Sequence, residues 1–147
     1  IAGDPLAADR VFTSGIPTTI VGLDVTAEVV INDAHIGQLR EVAGASGEFI
    51  HKISRFYFEF YEKITGKAEC PIHDASAVAY LLRPDLYRTE PAVVRVATEG
   101  IAIGQTIHDG TRRAFASKDW LGFPTCNICI GVNAPAVLEL YLSTLSG

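Results

Sequence analysis

The first 25 residues do most to limit the fold. In "GDPLAADRVFTSG", Asp4 stands where an N-cap belongs, Pro5 at the first helical position and Gly15 as terminator, with Leu6, Val11 and Phe12 available for a buried side. This predicts a helix from about residue 5 to 14. "IPTTIVGLDVT" follows, a β-branched run with little alternation of polarity from Ile20 to Val25, the pattern of a strand covered on both faces. Helix, tight glycine turn and buried strand in that order are α/β grammar.

The rest of the chain continues in that style. "NDAHIGQLREVA" predicts a second helix over residues 32–43, capped by Asn32 or Asp33 and ended by Gly44. A longer helix from Ser46 to Ile64 places Phe49, Ile53, Phe56, Phe60 and Ile64 at three- and four-residue steps, the expected packing face. Glu48–Lys52, Arg55–Glu59 and Glu59–Lys63 are spaced as i,i+4 pairs on the same helix. After Gly66, the evenly apolar run Ala75–Leu82 predicts a buried helix stopped by Pro84. Strands are expected over residues 92–98, 103–110 and 126–132, an irregular loop over 111–125, and a final helix capped by Asn133. With no internal repeat, low-complexity tract or linker, residues 1–147 are expected to form one unit.

Composition narrows the function. At 147 residues the chain can build a real core, and its net charge of −5 opposes a general nucleic-acid surface, the nearest basic cluster being Arg112-Arg113. No apolar run reaches membrane-spanning length and the start lacks the basic-then-apolar order of a secretory signal, so no membrane partner and a cytoplasmic location are expected. Three cysteines, an odd number, suit a reducing compartment better than a disulfide framework.

Chemistry concentrates in "CPIHDASAVAYLLRPDLY", residues 70–87. Asp74, ahead of an apolar helix, has a plain structural reading as an N-cap accepting bonds from free amides. A carboxylate at a helix start is equally a hard-cation ligand, and the adjacent imidazole of His73 is suited to donate a proton near neutral pH. A rival set is Cys70, His73, Cys126 and Cys129, whose residue types and two-residue spacings are those of tetrahedral zinc. Against it, Cys126 and Cys129 lie in a strand-like run, where residues three apart face opposite ways. His35 and His51 fall on helices without ligand-spaced partners, and His108-Asp109 ends a strand, where a turn aspartate accounts for it. The aromatic stripe around Tyr57 and Tyr61 reads first as a packing face.

The order of these segments carries a resemblance. "DPLAADRVFTSG", "TTIVGLDVT", an aromatic helix and "PIHDASAVAYLLRPDLY" resemble, in sequence, the C-terminal half of the inosine-uridine preferring nucleoside hydrolases, whose D-P-x-A-A, L-D-V-T and P-x-H-D-x-x-A-V-A-Y-L-x-x-P motifs occur in that order. The likeness extends more loosely through "GQTIHD" and "VNAPAVLELYL".

The resemblance implies an α/β fold, with a mixed or parallel sheet flanked by helices, and hydrolysis of the N-glycosidic bond of purine or pyrimidine ribonucleosides to free base and ribose. It implies a bound Ca²⁺ that positions the attacking water, and a homodimer or homotetramer for the complete enzyme. By the same resemblance Asp74 matches a metal ligand, His73 the histidine near the leaving base, and Tyr61 a tyrosine on a mobile helix over the base, with Tyr57 one turn earlier as second candidate. The family's aspartate cluster, D-x-D-x-x-x-D-D, and its A-E-x-N pattern have no counterpart in these residues. The expectation is therefore a segment of a longer enzyme, weak in calcium binding and inactive alone, its sheet and apolar helix faces partly uncovered. The alternative of a different class is a non-catalytic binding or structural piece, with zinc on the Cys/His set.

Overall fold

The computed structural model describes residues 1–109 and 119–146; of the loop expected over 111–125, residues 111–118, with Arg112-Arg113, lie outside the described residues. The fold is α/β, and the chain divides into two compact units, Ile1–Ile20 with Thr89–Cys129, and Val21–Arg88 with Ile130–Gly147.

In the first unit, helix α1 (Pro5–Thr13) begins as its sequence requires: the Asp4 carboxylate accepts from the Ala7 amide at 2.9 Å and Pro5 occupies the first turn. Strand β1 (Thr19–Ile20) pairs in parallel with β7 (Cys126–Val132), Thr19 opposite Asn127, in the sheet order β1-β7-β4, where β4 (Tyr87–Ala92) and β7 each pass along the chain from one unit into the other. Strands β5 (Val94–Val96) and β6 (Thr106–His108) form an antiparallel pair, with Val94 opposite His108. The strand expected over 92–98 is thus divided, Ala92 closing β4 and Val94 opening β5. Helix α1 packs on β5 through an ion pair that sequence pattern does not reveal. Asp9 accepts from Arg95 Nε and Nη2, each at 2.8 Å, and from the Val96 amide at 2.9 Å. Arg95 also donates to the Asp119 carbonyl and lies over the Phe123 ring at 4.6 Å. Asp109 accepts from the Val93 amide at 2.8 Å, the structural role expected for a turn aspartate.

The second unit contains helices α2 (Leu23–Thr26), α3 (Asp33–Val42), α4 (Gly44–Thr65), α5 (His73–Leu82) and α6 (Ala134–Ser146), with an antiparallel pair, β2 (Val30–Asn32) and β3 (Glu69–Pro71). Asn32 caps α3, accepting from the Ala34 and His35 amides at 3.1 and 3.2 Å, while His35 Nδ1 accepts from the Asn32 amide at 3.2 Å, a reciprocal capping box. Gly66, at φ 77°, ends α4 in the left-handed conformation. Helices α3 and α4 approach closely at Gly47, where a Cβ would lie 2.1 Å from the Leu39 carbonyl oxygen. Ile31, Ile36, Leu39, Phe58 and Cys70 make the core, joined by Tyr61, Leu138 and Tyr141. Asn133 caps α6 as expected, accepting from the Ala136 amide.

Four expectations give way. The strand over Ile20–Val25 stops at Ile20, because Gly22 turns the chain into α2 and its carbonyl accepts from the Val25 and Thr26 amides at 3.1 and 2.9 Å. The stripe Phe49, Ile53, Phe56, Phe60, Ile64 is exposed; α4 instead presents Gly47, Ser54 and Phe58 to the core, a row that admits a tight crossing because two of its members are small. Of the three charge pairs, Glu48–Lys52 forms at 3.7 Å, whereas Arg55 turns to Asp33 on α3. Helix α5 ends before Pro84 as expected, yet only Ser76 and Ala79 are buried and Leu81 is 78% exposed, since one narrow face meets α2 and α6.

Candidate functional site

The approach to His73-Asp74 is fixed by backbone bonding within the second unit. Strand β3 leads to Ile72, whose amide donates to the Val29 carbonyl at 2.9 Å, and α5 starts at the next residue. Ile72 is therefore the N-cap and offers no side-chain bond; Asp74, read from sequence as the cap, is the second helical residue. The correction is local, because a carboxylate in the first turn still meets the positive end of the helix dipole. The body of α5 is held from behind: Ser76 is fully buried, its hydroxyl donates to the Ile72 carbonyl at 2.9 Å, and Tyr87 Oη donates to the Ser76 carbonyl at 2.7 Å.

His73 and Asp74 diverge. Asp74 is exposed, while His73 is partly buried with Nδ1 2.7 Å from Thr26 Oγ1. Thr26 is 2% exposed and closes α2, so the short helix that replaced the expected strand is what supports the histidine. Sequence reading passed over Thr26; its signal was present in "LDVT", but a strand assignment gave its hydroxyl no partner.

The two tyrosines lie elsewhere in the unit. Tyr61 is partly buried against the Ile36–Leu39–Phe58 core and meets Phe60 edge-on at 5.5 Å, so its packing role is realised. Tyr57 is exposed and meets Phe56 edge-on at 5.7 Å. The bond from His73 runs to α2 and not to α4. An open depression of about 640 Å³ in the same unit, lined by Glu28, Asp85, Tyr87, Arg88 and Asn133, includes none of His73, Asp74, Tyr57 or Tyr61.

A calcium ion takes about six to eight oxygen ligands. Asp74 supplies one carboxylate, and among the described residues no three His, Cys, Asp or Glu side chains form a group able to hold a metal. These residues do not by themselves fit a calcium site. Of the residues read as a zinc set, Cys126 and Cys129 belong to the first unit and Cys70 and His73 to the second, and within neither unit do the described residues bring three such ligands together. Burial also pushes the Cys70 and Cys126 thiols up, away from the thiolate that zinc requires, and Cys126 Sγ is spent on the Phe12 carbonyl at 3.6 Å. No disulfide joins the cysteines, and among the described residues no helix is long and apolar enough to cross a membrane.

Known proteins agree with one another on what the chain resembles. It is 35% identical over 140 residues to uridine nucleosidase 1 of Arabidopsis thaliana, covering 95% of this chain and 42% of that protein. Among solved structures, a purine-preferring ribonucleoside hydrolase from Gardnerella vaginalis superposes with a TM-score of 0.83 at 34% identity, over 98% of this chain and 44% of the other. A plant nucleoside hydrolase superposes with a TM-score of 0.95 at 25% identity, over 99% and 46%. The chain thus spans somewhat under half the length of these relatives. Its residues 1–139 match the family described as inosine-uridine preferring nucleoside hydrolase, and the chain belongs to that family.

Proposed function

We propose that the chain is one segment of a longer nucleoside hydrolase, which cleaves the N-glycosidic bond of purine or pyrimidine ribonucleosides, and that His73 serves the departing base. The observation that carries this reading is the placement of His73 at the start of α5, with Nδ1 engaged by Thr26 and Nε2 left for another partner. In the reaction, water oxygen bonds to the anomeric carbon, the C–N electron pair leaves with the base, and the base gains a proton. A hydrogen-bond donor beside the base stabilises the charge that develops there, and His73 Nε2 is the group offered for it.

Asp74 is put forward as one ligand of a Ca²⁺ whose remaining ligands come from elsewhere in the longer protein; when bound, the ion would polarise the attacking water. Its exposure at a helix start, where carboxylates are favoured, supports that assignment. Tyr61, and secondarily Tyr57, are put forward as base-facing residues, the exposure of Tyr57 leaving it available for stacking. Relatives named for uridine and for purines support ribonucleosides as the substrate class. A homodimer or homotetramer in the cytoplasm completes the reading, supported by the family resemblance and by three cysteines that form no disulfide.

The deciding experiment is His73→Ala in the protein that contains this chain, assayed on inosine and uridine. A fall in kcat of roughly 100-fold or more is expected, in the range for a general acid and largest for the poorer leaving group. Undiminished turnover on both substrates removes His73 from the mechanism.

A further inference from the structure

The site contains a buried hydroxyl to which the reading above assigns no role of its own. Thr26 Oγ1 lies 2.7 Å from His73 Nδ1, and the threonine is 2% exposed. Its backbone is tied by the bond from its amide to the Gly22 carbonyl at 2.9 Å, and its β-branched side chain has few rotamers. Position and direction of the hydroxyl are thus set before any ligand arrives.

Resting on the proposed role of His73, we infer that Thr26 is its positioning residue, donating to Nδ1 and so keeping the neutral ring proton on Nε2. Two arrangements share the heavy-atom geometry. If His73 donated from Nδ1, the Thr26 hydroxyl proton would need another acceptor, and none appears among the described residues; a buried donor left unpaired costs about 1–3 kcal/mol. If Thr26 donates, both groups are satisfied by one bond. The second arrangement also leaves a donor on Nε2, whereas the first would present a bare lone pair that has no proton to offer a departing base. One contact therefore settles the tautomer and the aim of the ring, as the orienting partners of ligand and catalytic histidines do elsewhere.

The test uses the protein that contains this chain, with ¹⁵N-labelled histidine, examined by long-range ¹H–¹⁵N correlation at about pH 8, above the usual imidazole pKa of about 6.5. His73, assigned by its loss in His73→Gln, is expected to show a protonated Nε2 and an unprotonated Nδ1. In Thr26→Val, which keeps the shape and removes the hydroxyl, that pattern should give way to mixed tautomers, with kcat down roughly 10-fold and KM nearly unchanged, the low end for loss of an orienting partner. Thr26→Ser should restore both. An Nδ1-protonated His73 in the unaltered protein overturns the inference, as does a Thr26→Val protein with unchanged tautomer and kcat. Should Thr26→Val not fold, the spectrum of the unaltered protein and the Thr26→Ser kinetics still decide. Full activity of His73→Ala would defeat the proposed function while leaving the tautomer measurement to judge the Thr26 contact on its own.

Discussion

Breaking the Asp9–Arg95 pair should cost more than any surface ion pair in this chain, and the size of the loss follows from its geometry. The carboxylate side chain is 12% exposed and the guanidinium 26%, and the pair is bidentate at 2.8 Å on both arms, with a third bond from the Val96 amide. Bonds to charged groups contribute about 1.5–3 kcal/mol each, and truncating one partner of a fully buried pair costs about 3–5 kcal/mol. Arg95 retains some water, the Asp119 carbonyl and the Phe123 ring, which lowers the estimate for Asp9→Ala to about 3 kcal/mol. Asp9→Asn keeps an acceptor for Val96 but turns an amide donor towards a guanidinium donor, for about 2 kcal/mol. Hydrogen bonding from Arg95 is the main force holding the Asp9 carboxyl below the usual carboxylate range, against the opposing effect of burial. A depressed folded-state pKa means that this stabilisation is fully present above the unfolded value of about 3.9 and is lost as pH falls through the lower folded value. The assay is urea denaturation of the protein that contains this chain, as a double-mutant cycle with Asp9→Ala and Arg95→Ala at neutral pH. A coupling energy of about 1.5–2 kcal/mol is expected, with the gap between the unaltered protein and Asp9→Asn narrowing in acid. Coupling below about 0.5 kcal/mol, or a gap that widens in acid, refutes the reasoning.

Gly47→Ala should destabilise by about 3 kcal/mol in thermal or chemical unfolding, because the added Cβ meets backbone atoms of Leu39 and not a side chain that can turn away. Asn32→Ala should cost about 1 kcal/mol by removing the acceptor for two amides at the start of α3, and a midpoint shift much smaller than that would count against the capping box.

Local punctuation was the most legible part of the fold. Asp4 and Pro5 start α1, Asn32 starts α3, Gly66 ends α4 and Pro84 follows the end of α5, all through short-range hydrogen bonds or backbone restrictions that residue type alone dictates. Burial was much less legible. Periodicity marked Phe49, Ile53, Phe56, Phe60 and Ile64 as a face, but it cannot say what lies opposite, and the small residues Gly47 and Ser54 that permit close packing on α3 give no hydrophobic signal. The brief strands β2 and β3 escaped because three residues are too few to show alternation. At the site, His73 and Asp74 stood out as a dipeptide, yet Thr26 lies 47 positions away and joins them only through the tertiary fold. Asp9 was hidden similarly, its partner being 86 residues distant.

The placement of His73 and Asp74 as first and second residues of α5 makes the dipeptide directional. Successive side chains on an α-helix point about 100° apart, so two neighbours in sequence serve two separate targets. One reaches inward to a fixed hydroxyl, and the other stands in solvent. Composition is therefore not enough: an exchange that placed Asp at 73 and His at 74 would keep both functional groups and every atom of the pair. It would also set a carboxylate against Thr26 and swing the imidazole into water, an exchange of directions without any change in content.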